Sequence, residues 1–244
     1  MKKVLISYAN ARYFKSQNFL EETAKEIGKV DDVKSYTDTW LKTTDFWKKN
    51  QFILSRPRGA GYWAWKSYII LETFKELDND DIVMYSDAGL SVIDNLSPLF
   101  KIASGESNNG KILFQIPDGH LIKTWTKRDT YILMEADEPK YYNRIMVNGA
   151  LSLWKKSDEN IEFLKKWLRY CRDPRIITDD QNMCGKPNLL EFKDHRHDQS
   201  VISIMAVKNN MKVFRDPTQW GEKEKDQFQN SPYGQLFNHH RGKF

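Results

Sequence analysis

The chain has 244 residues, of which 40% are hydrophobic and 29% charged, and its formal net charge is +5. These proportions exclude a disordered chain and a membrane-embedded one, because no apolar run approaches the roughly 20 residues that span a bilayer. Two cysteines, Cys171 and Cys184, form no CxxC and no even framework, which excludes a zinc knuckle and a disulfide scaffold. The length fits one α/β domain without a linker or repeat.

The opening Lys3 to Tyr8 predicts a first strand; its apolar stretch is too short for a signal peptide, so a cytoplasmic address is expected. Leu20, Ala24 and Ile27 recur at helical spacing, and Val33 to Thr37 predicts a second strand, giving a βαβ opening. Short helical turns over 39–55 lead into the glycine-bearing loop Arg56 to Gly61, then a helix over 62–77 with Ile70, Phe74 and Leu77 on one stripe. Asp78 to Asp81 is a turn before the strand Ile82 to Tyr85. A helix over 95–103, a polar loop over 105–110 and a strand over 112–116 follow. Residues 128–142 are predicted helical, 149–154 a strand, and Ser157 caps a helix bearing Ile161, Leu164 and Leu168. Residues 173–193 are turn-rich, Asp198 is placed to cap a helix with Val201, Ile202 and Met205, and 215–244 is polar and irregular.

An apolar strand ending in a carboxylate delivers it to the carboxyl edge of a sheet, where open α/β sheets bind ligands. Asp87 is so placed, either as a ligand for a hard divalent cation and its diphosphate or as an Asp bonding its own Ser-Asp-Ala-Gly turn. Asp194 to Gln199 crowds acids, two histidines and an amide at a helix start, which suits metal binding or proton transfer, or simple capping by Asp198. The tail residues His239, His240, Arg241 and Lys243 can clamp phosphate oxygens or lie solvated. No Walker or Rossmann spacing is present, which excludes a P-loop NTPase and a dinucleotide oxidoreductase. Basic pairs are scattered along the chain, so no nucleic-acid partner is expected.

Taken together, Arg58-Gly59-Ala60-Gly61-Tyr62-Trp63-Ala64-Trp65-Lys66, Asp81 to Gly89, Trp125 to Asp129 and His195 to Ser200 resemble small GT-A fold glycosyltransferases of bacterial surface-polysaccharide clusters and large DNA viruses. The resemblance implies a Rossmann-like α/β fold with a mixed, mostly parallel central sheet flanked by helices. It divides one domain, 1–244, into a nucleotide-sugar half (about 1–115), an acceptor half (about 116–214) and a closing tail (215–244). It further implies a UDP-sugar donor, a glycan or glycolipid acceptor, Mn²⁺ or Mg²⁺ on the diphosphate, and peripheral contact with a membrane at most.

Carried over by position, the resemblance puts Asp87 where the first Asp of DxD stands, with Gly89 in place of the second. Tyr8, Ala9, Thr37, Asp38, Arg58, Lys66, Ser86, Ala88, His240, Arg241 and Lys243 fall on the donor side, and Trp125, Lys127, Arg128, Asp129 and Gln199 on the acceptor side. His197 and His239 are expected to complete a metal shell with Asp87, and Asp198 to be the general base. A catalytically inactive nucleotide-sugar-binding module is the alternative reading. A nucleotidyltransferase is disfavoured because Tyr8 to Arg12 is no Gly-rich basic loop.

Overall fold

The computed structural model describes residues 1–240, the side chain of Asp118 excepted; Arg241 and Lys243 lie outside the described residues. Its strands are β1 (Lys3–Ala9), β2 (Asp32–Thr37), β3 (Ile82–Ser86), β4 (Leu90–Val92), β5 (Lys111–Gln115), β6 (Val147–Lys155) and β7 (Phe237–His239). Five of them form one sheet in the order β2-β1-β3-β6-β5. β1 runs parallel to β2 and β3, and β6 is antiparallel to β3 and β5. The expected mixed, mostly parallel sheet is therefore what forms. Four strands point one way and β6 runs against them, so the carboxyl ends of β1, β3 and β5 share an edge with the amino end of β6.

Every residue of β3 is buried, as a strand covered on both faces requires. The covering helices are α1 (Phe14–Glu26), α2 (Lys66–Phe74), α3 (Ser97–Ser104), α4 (Asp158–Cys171) and α5 (His197–Lys208). One core holds Val83, Tyr85, Ile69, Ile70, Trp154, Leu164 and Val201, uniting α2, α4 and α5 on one face. The other holds Leu5, Met84, Leu20, Leu99 and Phe100, under α1 and α3. α4 starts where its sequence says: Ser157 Oγ accepts from Asn160 N at 3.2 Å, and Asp158 and Glu159 complement the positive end of the helix.

Four expectations need correction. The helix expected from residue 62 begins at Lys66, because residues 59–63 all have positive φ, from 48° to 94°, and make a left-handed turn instead. Gly61 has to be glycine there: a Cβ would lie 2.5 Å from Leu54 Cα. The helix expected over 128–142 is two short pieces, Arg128–Leu133 and Pro139–Tyr142, broken at Glu135 with φ 52°. Asp198 is not the cap of α5, since Arg196 holds that position without a side-chain bond. The tail expected to be irregular carries β7, which pairs antiparallel with β4.

Candidate active site

The Tyr85 to Gly89 segment opens into a cavity of about 450 Å³ at the shared strand edge. Tyr8 and Ala9 from β1, Trp63 from the left-handed turn, Trp65 just before α2, Asp87 to Gly89, and His239 line it. The Tyr8 and Trp65 rings stack at 3.9 Å, forming a flat apolar wall. The tail closes the opposite side: Leu90 pairs with His239, and His240 N donates to Gly89 O at 3.2 Å. The turn itself is held by Asp87 N donating to Ala150 O at 2.8 Å and by Ser86 Oγ donating to Asp87 O at 3.2 Å.

Behind Asp87 lies a charge cluster centred on Lys66, which is 3% exposed. Its Nζ donates to Gly149 O at 2.7 Å and lies 2.9 Å from Asp198 Oδ2 and 3.8 Å from Asp87 Oδ1. Tyr85 OH donates to the same Asp87 Oδ1. Burial works to lower the Lys66 pKa, but the charges of Asp198 and Asp87 outweigh it and hold it above the ordinary value. Asp198, 2% exposed, is pushed up to about 6 by burial and by the like charge of Asp87, against the pull of Lys66. Burial and the neighbouring Asp87 also push the Tyr85 phenol well up, so it stays a donor. With both carboxylates ionised, one ammonium faces two negative charges.

The remaining expected residues are placed unequally. Thr37 caps the following turn by accepting from Trp40 N at 3.1 Å. Asp38 pairs with Lys42 at 3.2 Å, and burial together with the Asp38 charge raises the Tyr8 phenol. Arg58 spends its fork on Asp194, at 2.5 and 3.2 Å, and on Asp179 at 3.1 Å. Gln199 Nε2 donates to Val147 O at 2.8 Å and so fixes the start of β6.

His197 is not placed as a metal ligand beside Asp87. It is buried against the rings of Tyr62 and His195, with Nδ1 donating to Ile177 O at 2.7 Å, and burial lowers its pKa to about 4. The acceptor-side segment is likewise spent internally. Lys127 Nζ donates to Asp180 O at 2.7 Å, Arg128 pairs with Asp137 at 2.9 Å, and Asp129, 1% exposed, accepts from Met183 N and Cys184 N at 2.9 Å. The Trp125 carbonyl accepts from Ser200 Oγ at 2.7 Å, and its ring carries Arg196 at 4.2 Å. Among the described residues, no group of three or more His, Cys, Asp or Glu is arranged to hold a metal ion.

No family model and no curated protein matches the chain. Among solved structures, it is similar to the crystal structure of mouse xyloside xylosyltransferase 1 in its apo form, at 11% identity over 98% of this chain and 97% of that one, with a TM-score of 0.47. At that level the functional reading rests on the site's own residues.

Sequence reasoning missed Tyr85 and the Gly149 carbonyl. Tyr85 carried a usable signal, because residues two apart on a strand share a face and Asp87 follows it by two. Gly149 carried none, since its part depends on a strand register that brings it to Lys66 across 83 residues.

Proposed function

We propose that the protein is a GT-A fold glycosyltransferase, moving a sugar from a UDP-sugar to a hydroxyl of a glycan or glycolipid. One observation carries the reading: a single cavity at the carboxyl ends of β1 and β3 combines an aromatic wall, Tyr8 on Trp65, with the carboxylate Asp87 and the imidazole of His239. A base and ribose fit the first part, and a charged diphosphate fits the second. The sheet order, with β6 reversed inside a parallel set, is compatible with that fold.

Sugar transfer passes through an oxocarbenium-like state while negative charge builds on the departing diphosphate. Arg12, on the cavity wall, is the cation that faces it in this reading. Asp87 and His239 fit a metal only jointly with the donor, because two protein ligands fall short of a full oxygen-rich shell. The excess negative charge around Lys66 favours such a cation. When bound, Mn²⁺ or Mg²⁺ would supply charge neutralisation at the diphosphate. The chain's own contribution is to orient Asp87 through Tyr85 and Lys66.

Asp198 is assigned here as the counter-ion that keeps Lys66 charged and directed at Asp87, because it is buried and does not line the cavity. The sequence suggested a general base instead, a role that requires Asp198 to come within hydrogen-bond reach of the acceptor hydroxyl. The two separate by measurement: in Asp198→Asn, a counter-ion role weakens donor binding, whereas a base role lowers turnover with donor binding intact. The overall reading is tested by melting the protein with a panel of UDP-sugars, with and without Mn²⁺, and then following UDP release in the presence of glycans. No shift with any donor sinks the proposal. Binding without turnover on any acceptor favours the inactive binding module, which the lone Asp87 opposite Gly89 makes the natural alternative.

A further inference from the structure

A second and larger cleft, about 850 Å³, lies on the same sheet edge but on the flank of β5. Gln115 at the end of β5 and Val147 at the start of β6 are register partners and form its inner wall. Ile145, Val207 and Met211 give it apolar lining, while Lys140, Arg144 and Lys208 are its basic residues. Among the described residues, no carboxylate lines it. Lys208 holds two neutral carbonyls, Met134 O at 2.5 Å and Glu135 O at 3.2 Å, so its charge is not cancelled by an acid. Arg144 is exposed and has no acidic partner among the described residues, although its backbone is fixed by the Leu121–Ile145 bridge and by Ile122 N donating to Arg144 O at 2.9 Å. Lys140 pairs with Glu138 at 3.0 Å with both side chains in water, an attachment that a ligand can exchange.

The cleft is wired to the charge cluster. Val147 and Gly149 are two residues apart on β6, about 7 Å, and face the same side. Val147 N donates to Ser203 Oγ at 3.1 Å inside the cleft, and Gly149 O holds Lys66. Gln199 ties the two together, bonding Val147 O and packing its side chain on Gly149.

We propose that this cleft binds the anionic part of the acceptor, a sugar residue bearing a carboxylate or phosphate, with Arg144 and Lys140 as its main contacts. Apolar lining beside exposed basic side chains suits a sugar ring whose face packs on the apolar residues while its charge meets the basic ones. The word acceptor rests on the transferase reading; anion binding does not.

The test is equilibrium binding of fluorescent tetragalacturonate, phosphorylated maltotetraose and neutral maltotetraose to wild type, to the double variant Lys140→Ala/Arg144→Ala, and to Lys48→Ala/Lys49→Ala as a control for scattered surface charge. UDP binding is measured alongside. The expected result is at least tenfold tighter binding of one anionic oligosaccharide than of the neutral one, lost at least tenfold in the cleft variant alone, with UDP affinity unchanged. Which oligosaccharide binds identifies carboxylate or phosphate. Equal binding of neutral and charged chains, or equal loss in the control variant, overturns the proposal. If the anionic chain binds the cleft but no UDP-sugar binds anywhere, the cleft stands and the transferase reading falls; the converse removes the cleft and leaves the donor site.

Discussion

The strand end Tyr85 to Gly89 and the helix approach Asp194 to Gln199 are both dense in groups that can do chemistry, and the fold treats them in opposite ways. At the first, Asp87 opens into a cavity with one carboxylate oxygen engaged by Tyr85. At the second, most polar groups are engaged inside the fold: Asp194 takes Arg58, His195 Nε2 donates to Ile176 O at 2.8 Å, and His197 Nδ1 donates to Ile177 O, while His197 Nε2 is buried without a hydrogen-bond partner, 3.5 Å from Asp179 Oδ1. Chemical density alone therefore does not mark a site. What marks it is bonding capacity left unspent at a surface that a ligand can reach, since buried polar groups are otherwise consumed in holding the fold.

The contrast can be broken experimentally, and the sharpest blow is at Asp87. Asp87→Asn is expected to lower UDP-sugar turnover by about 10²–10³-fold with little change in melting, as loss of a preorganised charge at the reacting centre does. Retained turnover would remove the open site from the argument. Asp198→Asn comes next. A carboxyl with its pKa raised to about 6 in the folded state binds its proton more tightly folded than unfolded, so that stabilisation is present below about pH 4 and lost as pH rises through 6. Denaturant titrations across pH 4–7 should show wild type losing about 2–3 kcal/mol relative to the variant over that window, with no further change above it.

In the closed region, His197→Asn and Asp129→Ala should each cost about 1–3 kcal/mol of unfolding free energy by orphaning buried bonds. Metal-dependent donor binding, read by calorimetry, should be unchanged in His197→Asn; its loss would reopen His197 as a ligand. The smallest effect is expected at His239→Ala, with donor affinity in Mn²⁺ weakened about tenfold or less, since diphosphate and water retain most of the shell.

Features governed by neighbours in sequence were legible. The apolar stretch of β1, the buried run of β3 and the Ser157 cap of α4 are local, and each lies where the pattern put it. The left-handed turn at 59–63 was not, because Tyr62 and Trp63 resist positive φ and only their packing imposes it. β7 is three residues long and finds its partner β4 some 145 residues away, a distance at which no periodicity speaks. The site divides in the same way. Asp87 followed from a strand end, whereas the Lys66–Asp198 pair joins helices far apart in the chain, and the spent histidines could be recognised only once their carbonyl partners were in view.

The reversed direction of β6 gives the site a sensitivity to strand alignment. β1 and β3 bring residues to the cavity as the chain leaves the sheet, but β6 brings Gly149 to the buried Lys66 behind it as the chain enters the sheet. A slip of one residue against β3 would turn Asn148 toward Lys66 and move its bond with Asp216, 2.5 Å in the native alignment, to the wrong face. Gln199 and Ser203, gripping Val147 from both of its backbone groups, therefore act as an index pin: they fix which carbonyl meets the buried lysine before any ligand arrives.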